Sequence, residues 1–259
     1  MKDPATVIGI GLGLVVIVAA NVLEGGNPMS LLLLPPMLLV FGTTILVTVA
    51  GGTIADAKQS MKAAVRAFKG GDESTGGGDL VPHVVKLADR ARREGLLALE
   101  DGLADVPEPF LVKGVTMAID GTDPEEVREI LEAEIDAKRR TDAQSAKFFK
   151  DAGAYAPTIG IIGTVMGLVH VLESLADPAE LGHLIAAAFV ATLWGVMSAN
   201  VLWLPLGSRI KRLSDLECAR MEVALEGVAA IQSGANPRLI AEKLRSLMPM
   251  PAGTDSEAA

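Results

Sequence analysis

Four stretches of the chain run without a single Asp, Glu, Lys or Arg: Pro4 to Leu23, Gly25 to Ala55, Ala152 to Leu172 and Leu181 to Ser208. Each exceeds the ~18 apolar residues that mark a membrane helix, which predicts helices near 5–23, 31–51, 154–172 and 184–206. Val18-Ala19-Ala20 has the small side chains of a signal cleavage site. Against that, Lys2 stands beside Asp3 and a second apolar segment follows at once, so a retained first helix is expected.

Between the second and third stretches the pattern changes to helical spacing in a polar background. Ile54, Met61, Val65 and Phe68 form one stripe, Leu111, Val115 and Ile119 a second, and Val127, Leu131 and Ile135 a third. Asp123-Pro124-Glu125-Glu126 reads as a helix start, with an N-cap acceptor, proline in the first turn and Glu126 placed to complete a capping box. That helix is expected to run into the third span. Gly70 to Gly78 is a flexible connection rich in Gly, Asp and Ser. Beyond Arg212, Leu213, Leu216 and Val223 mark a helix to about Gln232, which Gly234 ends, and Asn236-Pro237 starts a short final one. Nothing here alternates like a strand.

The expected fold class is therefore all-α, a polytopic membrane protein with four transmembrane helices and a helical cytoplasmic domain between helices two and three. The predicted divisions are 1–55 for the first two spans, 56–150 for the cytoplasmic domain and 151–208 for the last two spans. Residues 209–248 follow as cytoplasmic helices, and 249–259 as a disordered tail.

Composition sharpens this picture. Half of the 259 residues are hydrophobic and 21% are charged, and the mean hydropathy is +0.39. The two tendencies coexist only if polarity is segregated along the chain. The short connections around Glu24 and Glu173 carry no Lys or Arg, whereas Lys58, Lys62, Arg66, Lys69, Lys138, Arg139, Arg140, Lys147, Lys150, Arg209, Lys211 and Arg212 flank the opposite ends. The positive-inside rule then places both termini and the insertion in the cytoplasm. A net charge of −9 argues against a nucleic-acid partner. Cys218, the single cysteine, excludes a disulfide framework and reads as a small apolar filler on a helix.

No carboxylate or ammonium lies inside any predicted span, although proton relays and ion pumps place ionisable groups at depth. If this protein moves ions, a partner helix must bring the acid. His170 and His183 fall near the outer ends of the third and fourth helices, where interfacial solvation is their ordinary state. Pro157 and Pro205 each remove a backbone hydrogen bond, both within about 10 Å of the cytoplasmic end at 1.5 Å per residue. They form either a paired hinge or two ordinary membrane-helix prolines.

Thr164 and Thr192 lie near mid-span. Their hydroxyls either bond backbone carbonyls and neighbouring helices or line a wet path with oxygen ligands for a hard cation. Gly9-x-x-x-Gly13 and Gly163-x-x-x-Gly167 permit close helix approach and support oligomerisation. The stretch from Ala91 to Glu100 mixes charged and apolar residues, either as a solvated helix face or as a docking surface that steers a protein partner. No nucleophile–base pairing, metal cluster or phosphate loop is visible, so an enzyme is not expected.

Several stretches together resemble the MotA/PomA family of flagellar stator subunits. They are Ala156-Pro157-Thr158-Ile159-Gly160-Ile161-Ile162-Gly163-Thr164-Val165-Met166-Gly167-Leu168, then Ala191-Thr192-Leu193-Trp194-Gly195-Val196, Leu204-Pro205-Leu206 and the tail from Glu226 to Arg238. The resemblance covers nearly the whole chain and its order of two spans, insertion, two spans and tail. It implies five copies around two copies of a MotB/PomB-type partner anchored in peptidoglycan, whose helix supplies the ion-carrying aspartate. By position, Pro157 and Pro205 match prolines that couple ion binding to conformational change. Arg92 and Glu100 match a charged pair that meets the rotor protein of the switch complex. Thr164 and Thr192 match threonines of sodium-type members, which leans the coupling ion to Na+ over H+. No other cofactor is implied, and the expected location is the bacterial inner membrane.

The residues also admit two other readings. An ExbB/TolQ-type energiser of outer-membrane processes is set apart by its single span before the insertion, where this chain has two. A non-conducting membrane scaffold would tolerate replacement of Thr192 or Pro157 without loss of ion-dependent motility.

Overall fold

A computed structural model describes residues 4–69, 80–176 and 178–247, and every regular element among them is helical. The elements are α1 (Ala5–Leu23), α2 (Leu34–Ala50), α3 (Ile54–Phe68), α4 (Leu80–Glu94), α5 (Pro109–Ile119), α6 (Pro124–Glu173), α7 (Pro178–Ser198), α8 (Leu204–Gln232) and α9 (Pro237–Ser246). The connection expected over Gly70 to Gly78 and the tail expected from Pro249 lie outside the described residues.

The described chain forms two compact units. Residues 4–69 and 141–213 make one, and residues 80–140 and 214–247 the other. In the first unit, α1 buries none of its side chains, and Leu12, Val15 and Val16 are among its many exposed aliphatic residues. Apolar surface of this extent on a helix of this length is what a bilayer covers. Among the described residues, three helical stretches are long and apolar enough to cross a membrane: α1, one within Pro124–Glu173 and one within Glu180–Gln232.

The second predicted helix starts later than the sequence pattern implied, at Leu34 rather than residue 31. Asn27 accepts a hydrogen bond from the Met29 N–H at 3.0 Å and caps a 3-10 turn over Pro28–Leu31. The chain then runs extended through Leu33, and Pro35 and Pro36 fall in the first turn of α2, where a missing N–H costs nothing. A π turn, Leu38–Gly42, interrupts the helix. The resulting α2 is apolar but shorter than the other three stretches.

Helix α6 runs unbroken from Pro124 to Glu173, as expected. Its Asp123 cap accepts from the Glu125 N–H at 2.9 Å, one residue before the Glu126 amide that a capping box engages. A complete capping box sits elsewhere, at Thr53 and Asp56. The core of this unit gathers Ala63, Ala64 and Ala67 of α3 against Ala146, Phe149 and Ala152 of α6 and Leu206, Ile210 and Leu213 of α8. Phe149 stacks on Trp203 at 6.3 Å between centroids, and Phe41 meets Trp194 at 5.5 Å.

The second unit buries two of the stripes seen in the sequence. Leu111 and Val115 of α5 and Val127, Leu131 and Ile135 of α6 join Val84, Leu87, Val228 and Leu244 in one cluster. Cys218 is buried there as the small filler it resembles. A Cβ on Gly114 would come within 2.6 Å of Val228, so α5 and α8 pack closely because that position lacks one. Ala91 to Glu100 is not a single helix face. Gly95, at φ 87°, ends α4 and turns the chain into a 3-10 segment, Leu96–Asp105.

Candidate functional site

The site begins with two helices that approach through missing side chains. A Cβ on Gly160 of α6 would meet the Ala191 carbonyl at 2.9 Å and the Gly195 Cα at 3.1 Å. On Gly195 of α7 it would meet the Ala156 carbonyl at 2.7 Å. Gly163 and Gly167 repeat the arrangement against Ala191 and Ala188. The Gly163-x-x-x-Gly167 pair is thus used inside the chain, between α6 and α7, rather than being held back for oligomerisation. By contrast, a Cβ on Gly9 would meet nothing within 4 Å.

This close approach brings Thr164 and Thr192 together. Their hydroxyl oxygens lie 2.5 Å apart. Thr164 Oγ1 is also 2.9 Å from the Ala188 carbonyl and 3.3 Å from that of Gly160, and Thr192 Oγ1 lies 3.3 Å from the same Gly160 oxygen. Four oxygens therefore converge, sharing only the two hydroxyl protons. Both side chains are half-buried, so the cluster keeps an accessible side. All-oxygen, uncharged donors suit a small hard cation, but without a negative charge they offset little of its desolvation. The two carbonyls belong to the cluster as fully as the hydroxyls. The sequence signal that could have found Gly160 is its position four residues before Thr164, where a threonine hydroxyl reaches back to a carbonyl.

Pro157 lies in α6 one turn before Gly160, and the helix continues through it. Pro205 is placed differently, in the first turn of α8 directly after a π turn over Ala199–Trp203. A π turn shifts the hydrogen-bond ladder by one residue, which is a common way for a helix to accommodate an interruption. Gly153, whose carbonyl loses its usual donor to Pro157, packs so closely on Leu204 that a Cβ would meet Leu204 Cδ2 at 2.7 Å. Trp194 donates its indole N–H to the Leu31 carbonyl at 2.6 Å, tying α7 to the turn before α2.

Near the C-terminal end of α6, His170 is exposed and within 3.4 Å of Glu173, an ordinary solvated pair. His183 is also exposed and, with His170, rims an apolar cavity of about 500 Å³ lined by Pro35, Leu39, Met166 and Ala187.

In the other unit, Arg92 at the end of α4 and Glu100 in the 3-10 segment are both exposed, on either side of the Gly95 turn. Arg90 bonds Glu94 at 3.2 Å and Arg93 bonds Asp89 at 2.9 Å. Among the described residues neither Arg92 nor Glu100 enters such a pair. Leu97, 74% exposed between them, is a residue that the charge pattern did not single out. Across α6, α8 and α9, Glu226 accepts from Arg128 at 3.2 Å and Lys243 at 2.6 Å. The Lys243 and Arg128 donors hold its carboxyl below the usual range, against the opposing effect of burial. Among the described residues no group of three or more His, Cys, Asp or Glu is placed to hold a metal ion.

Apolar helices of membrane-crossing length, two of them joined through a neutral oxygen cluster, define a helical membrane protein. Comparison with known proteins agrees. The model of the MotA/TolQ/ExbB proton channel family matches residues 103–223. Motility protein A of Bacillus subtilis (strain 168) is 38% identical over 247 residues, covering 95% of this chain and 91% of the relative. Chemotaxis protein PomA of Vibrio alginolyticus is 32% identical over 247 residues, 95% of each chain. Among solved structures, the flagellar MotAB stator complex from Bacillus subtilis matches with a TM-score of 0.87 at 36% identity, covering 95% of this chain and 96% of that one. The chain belongs to the MotA/PomA family of flagellar motor stator proteins.

Proposed function

We propose that this chain is the channel-forming subunit of a flagellar stator, which passes ions only with a MotB/PomB-type partner and converts their flow into torque on the rotor. The observation that carries the reading is the neutral oxygen cluster of Thr164, Thr192, Gly160 and Ala188. It offers ligands but no charge, so a partner carboxylate must complete it. The name of the solved neighbour, a MotAB complex, supports such a partner.

In this reading the chain has four spans, with the π-interrupted α2 as the second, and sits in the inner membrane with both termini and the insertion in the cytoplasm. Five copies surround two partner helices. An ion entering between α6, α7 and the partner helix is held by the partner's carboxylate and the four oxygens. Its release recharges that carboxylate, and Pro157 and Pro205 let α6 and α8 respond because each lacks a ladder bond. The movement reaches the rotor through Arg92, Leu97 and Glu100. One charge falling through ~100 mV releases ~2.3 kcal/mol, enough to drive a rearrangement of a few weak contacts. The family's description is that of a proton channel, yet two hydroxyls and two carbonyls at one point favour Na+ for this chain.

The test is swimming speed in a stator-deleted host that carries this chain and its partner, measured with and without sodium at fixed proton-motive force. Loss of speed without sodium supports the sodium reading. Unchanged speed assigns the proton, and no motility in either condition rejects the stator assignment.

A further inference from the structure

Both tryptophans of this chain and two of its six phenylalanines stand in one row of rings. Trp194 of α7 meets Phe41 of α2 at 5.5 Å between centroids. Phe41 meets Trp203 edge-on at 6.3 Å, and Trp203 stacks on Phe149 of α6 at 6.3 Å. Each spacing lies in the range where aromatic pairs attract. Trp194 follows Thr192 by two residues, and Trp203 precedes Pro205 by two. Phe41 therefore bridges the turn of α7 that carries part of the oxygen cluster and the approach to the proline turn of α8.

The members of this row are not held equally. Trp194 is fixed, because its indole N–H donates to the Leu31 carbonyl at 2.6 Å, at the end of the turn that Asn27 caps. Phe41 and Trp203 each lie inside a π turn, Leu38–Gly42 and Ala199–Trp203. Such a turn is a local widening of the α ladder, and its register can shift without breaking the helix. Trp203 is buried, at 8% exposure, yet among the described residues its indole N–H meets no acceptor. A buried donor in that state gains an acceptor by moving, so Trp203 is the movable ring and Trp194 the anchored one.

We propose that Phe41 is a positioning residue for torque, which passes a rearrangement of the Thr164–Thr192 cluster to the Pro205 turn by pressing on Trp203. The outer start of α2 is pinned to α7 through Leu31 and Trp194. A change in the α6–α7 contact is therefore taken up at the π turn that carries Phe41. Phe41 in turn bears on the second π turn, directly before α8. Phe149 of α6 backs Trp203 and limits how far it yields. Phe41 binds no ion itself. The inference deepens the stator reading and rests on it, but not on the choice of ion.

The test uses the complete complex of this chain with the proposed MotB/PomB-type partner. Phe41→Met keeps the bulk and removes the ring, and Phe41→Tyr keeps the ring. The complex is labelled with 5-fluorotryptophan, and the Trp203 fluorine resonance is assigned by its loss in Trp203→Phe. That resonance is read across a step in sodium and, separately, a step in pH. Ion flux per complex is measured in liposomes, and torque per stator in tethered cells. The resonance should move with one of the two steps in the parent and in Phe41→Tyr, and stay in place in Phe41→Met. Torque in Phe41→Met should fall by about twofold or more, the scale of lost ring contacts, while flux and the half-saturating ion concentration hold. A parent resonance that answers neither step overturns the proposal however the variants fold. Torque in Phe41→Met equal to the parent also overturns it, as does loss of flux along with torque, which marks a merely structural role. A parent complex that passes no ions and drives no rotation instead contradicts the stator reading, so the two failures are told apart.

Discussion

Thr164 and Thr192 place their hydroxyl oxygens 2.5 Å apart across the α6–α7 contact, and Gly160 lends its carbonyl to both. The pairing depends on Gly160 and Gly195, because a Cβ at either would strike backbone of the facing helix. The proposed ion ligands and the helix packing are thus set by the same few residues, and the two roles can be separated by mutation.

Thr192→Ala removes one oxygen without disturbing the glycine contact. A ligand to a charged group contributes ~1.5–3 kcal/mol. The sodium concentration for half-maximal swimming should therefore rise by about tenfold or more, while Thr192→Ser stays near the parent. A sodium titration of swimming speed checks this, and an unchanged half-saturation point in Thr192→Ala removes the hydroxyl from the pathway.

Gly160→Ala and Gly195→Ala should each cost ~1–3 kcal/mol, the usual penalty for forcing a methyl into a packed contact. Gly9→Ala is the control, since open space surrounds that position. Thermal melts of the purified protein in detergent should show lowered midpoints for the first two and none for the third.

Glu226 links α8 to Arg128 and Lys243. Its carboxyl titrates below the ordinary value of 4.5, so the native state binds its proton less readily than the unfolded chain does. The stabilisation is present above that ordinary value and is lost as pH falls through the depressed one. Glu226→Gln should melt at a lower temperature than the parent at neutral pH, and the gap should close on acidification below about 4.5. A gap that does not change with pH contradicts the ion-pair account.

Reversing the charge of Arg92 or Glu100 should impair motility while ion flux through the reconstituted complex stays intact, with partial rescue by an opposite reversal on the rotor protein. Both residues are exposed and make no ion pair among the described residues, so folding should be unaffected. Normal swimming speed in both single reversals takes them off the torque surface.

How far these features are legible in the sequence differs from residue to residue. Leu111, Val115, Val127, Leu131 and Ile135 announce their burial by spacing, because a core face must repeat with the helix. Ile54, Met61, Val65 and Phe68 announce the helix equally well but are not its buried face. There Ser60 and three alanines do the packing, and small residues leave no periodic signal strong enough to compete. The Gly95 turn was hidden because a glycine within charged, helix-favouring sequence is compatible with either a helix or its end. Thr164 and Thr192 stood out as hydroxyls at mid-span. Gly160 is legible only as the carbonyl four residues before Thr164, and Ala188 is not legible at all, since the fold alone decides that its carbonyl meets Thr164 of the facing helix. The start of α2 is not legible in the sequence because four leucines before Pro35 look like span, whereas local capping by Asn27 holds the chain out of the helix.

The most direct test of the central claim is ion flux in liposomes, driven by an imposed gradient, with this chain reconstituted alone and then together with the proposed MotB/PomB-type partner. The account predicts silence from the chain alone and flux once the partner's carboxylate is supplied. Sustained flux from the chain by itself would contradict it.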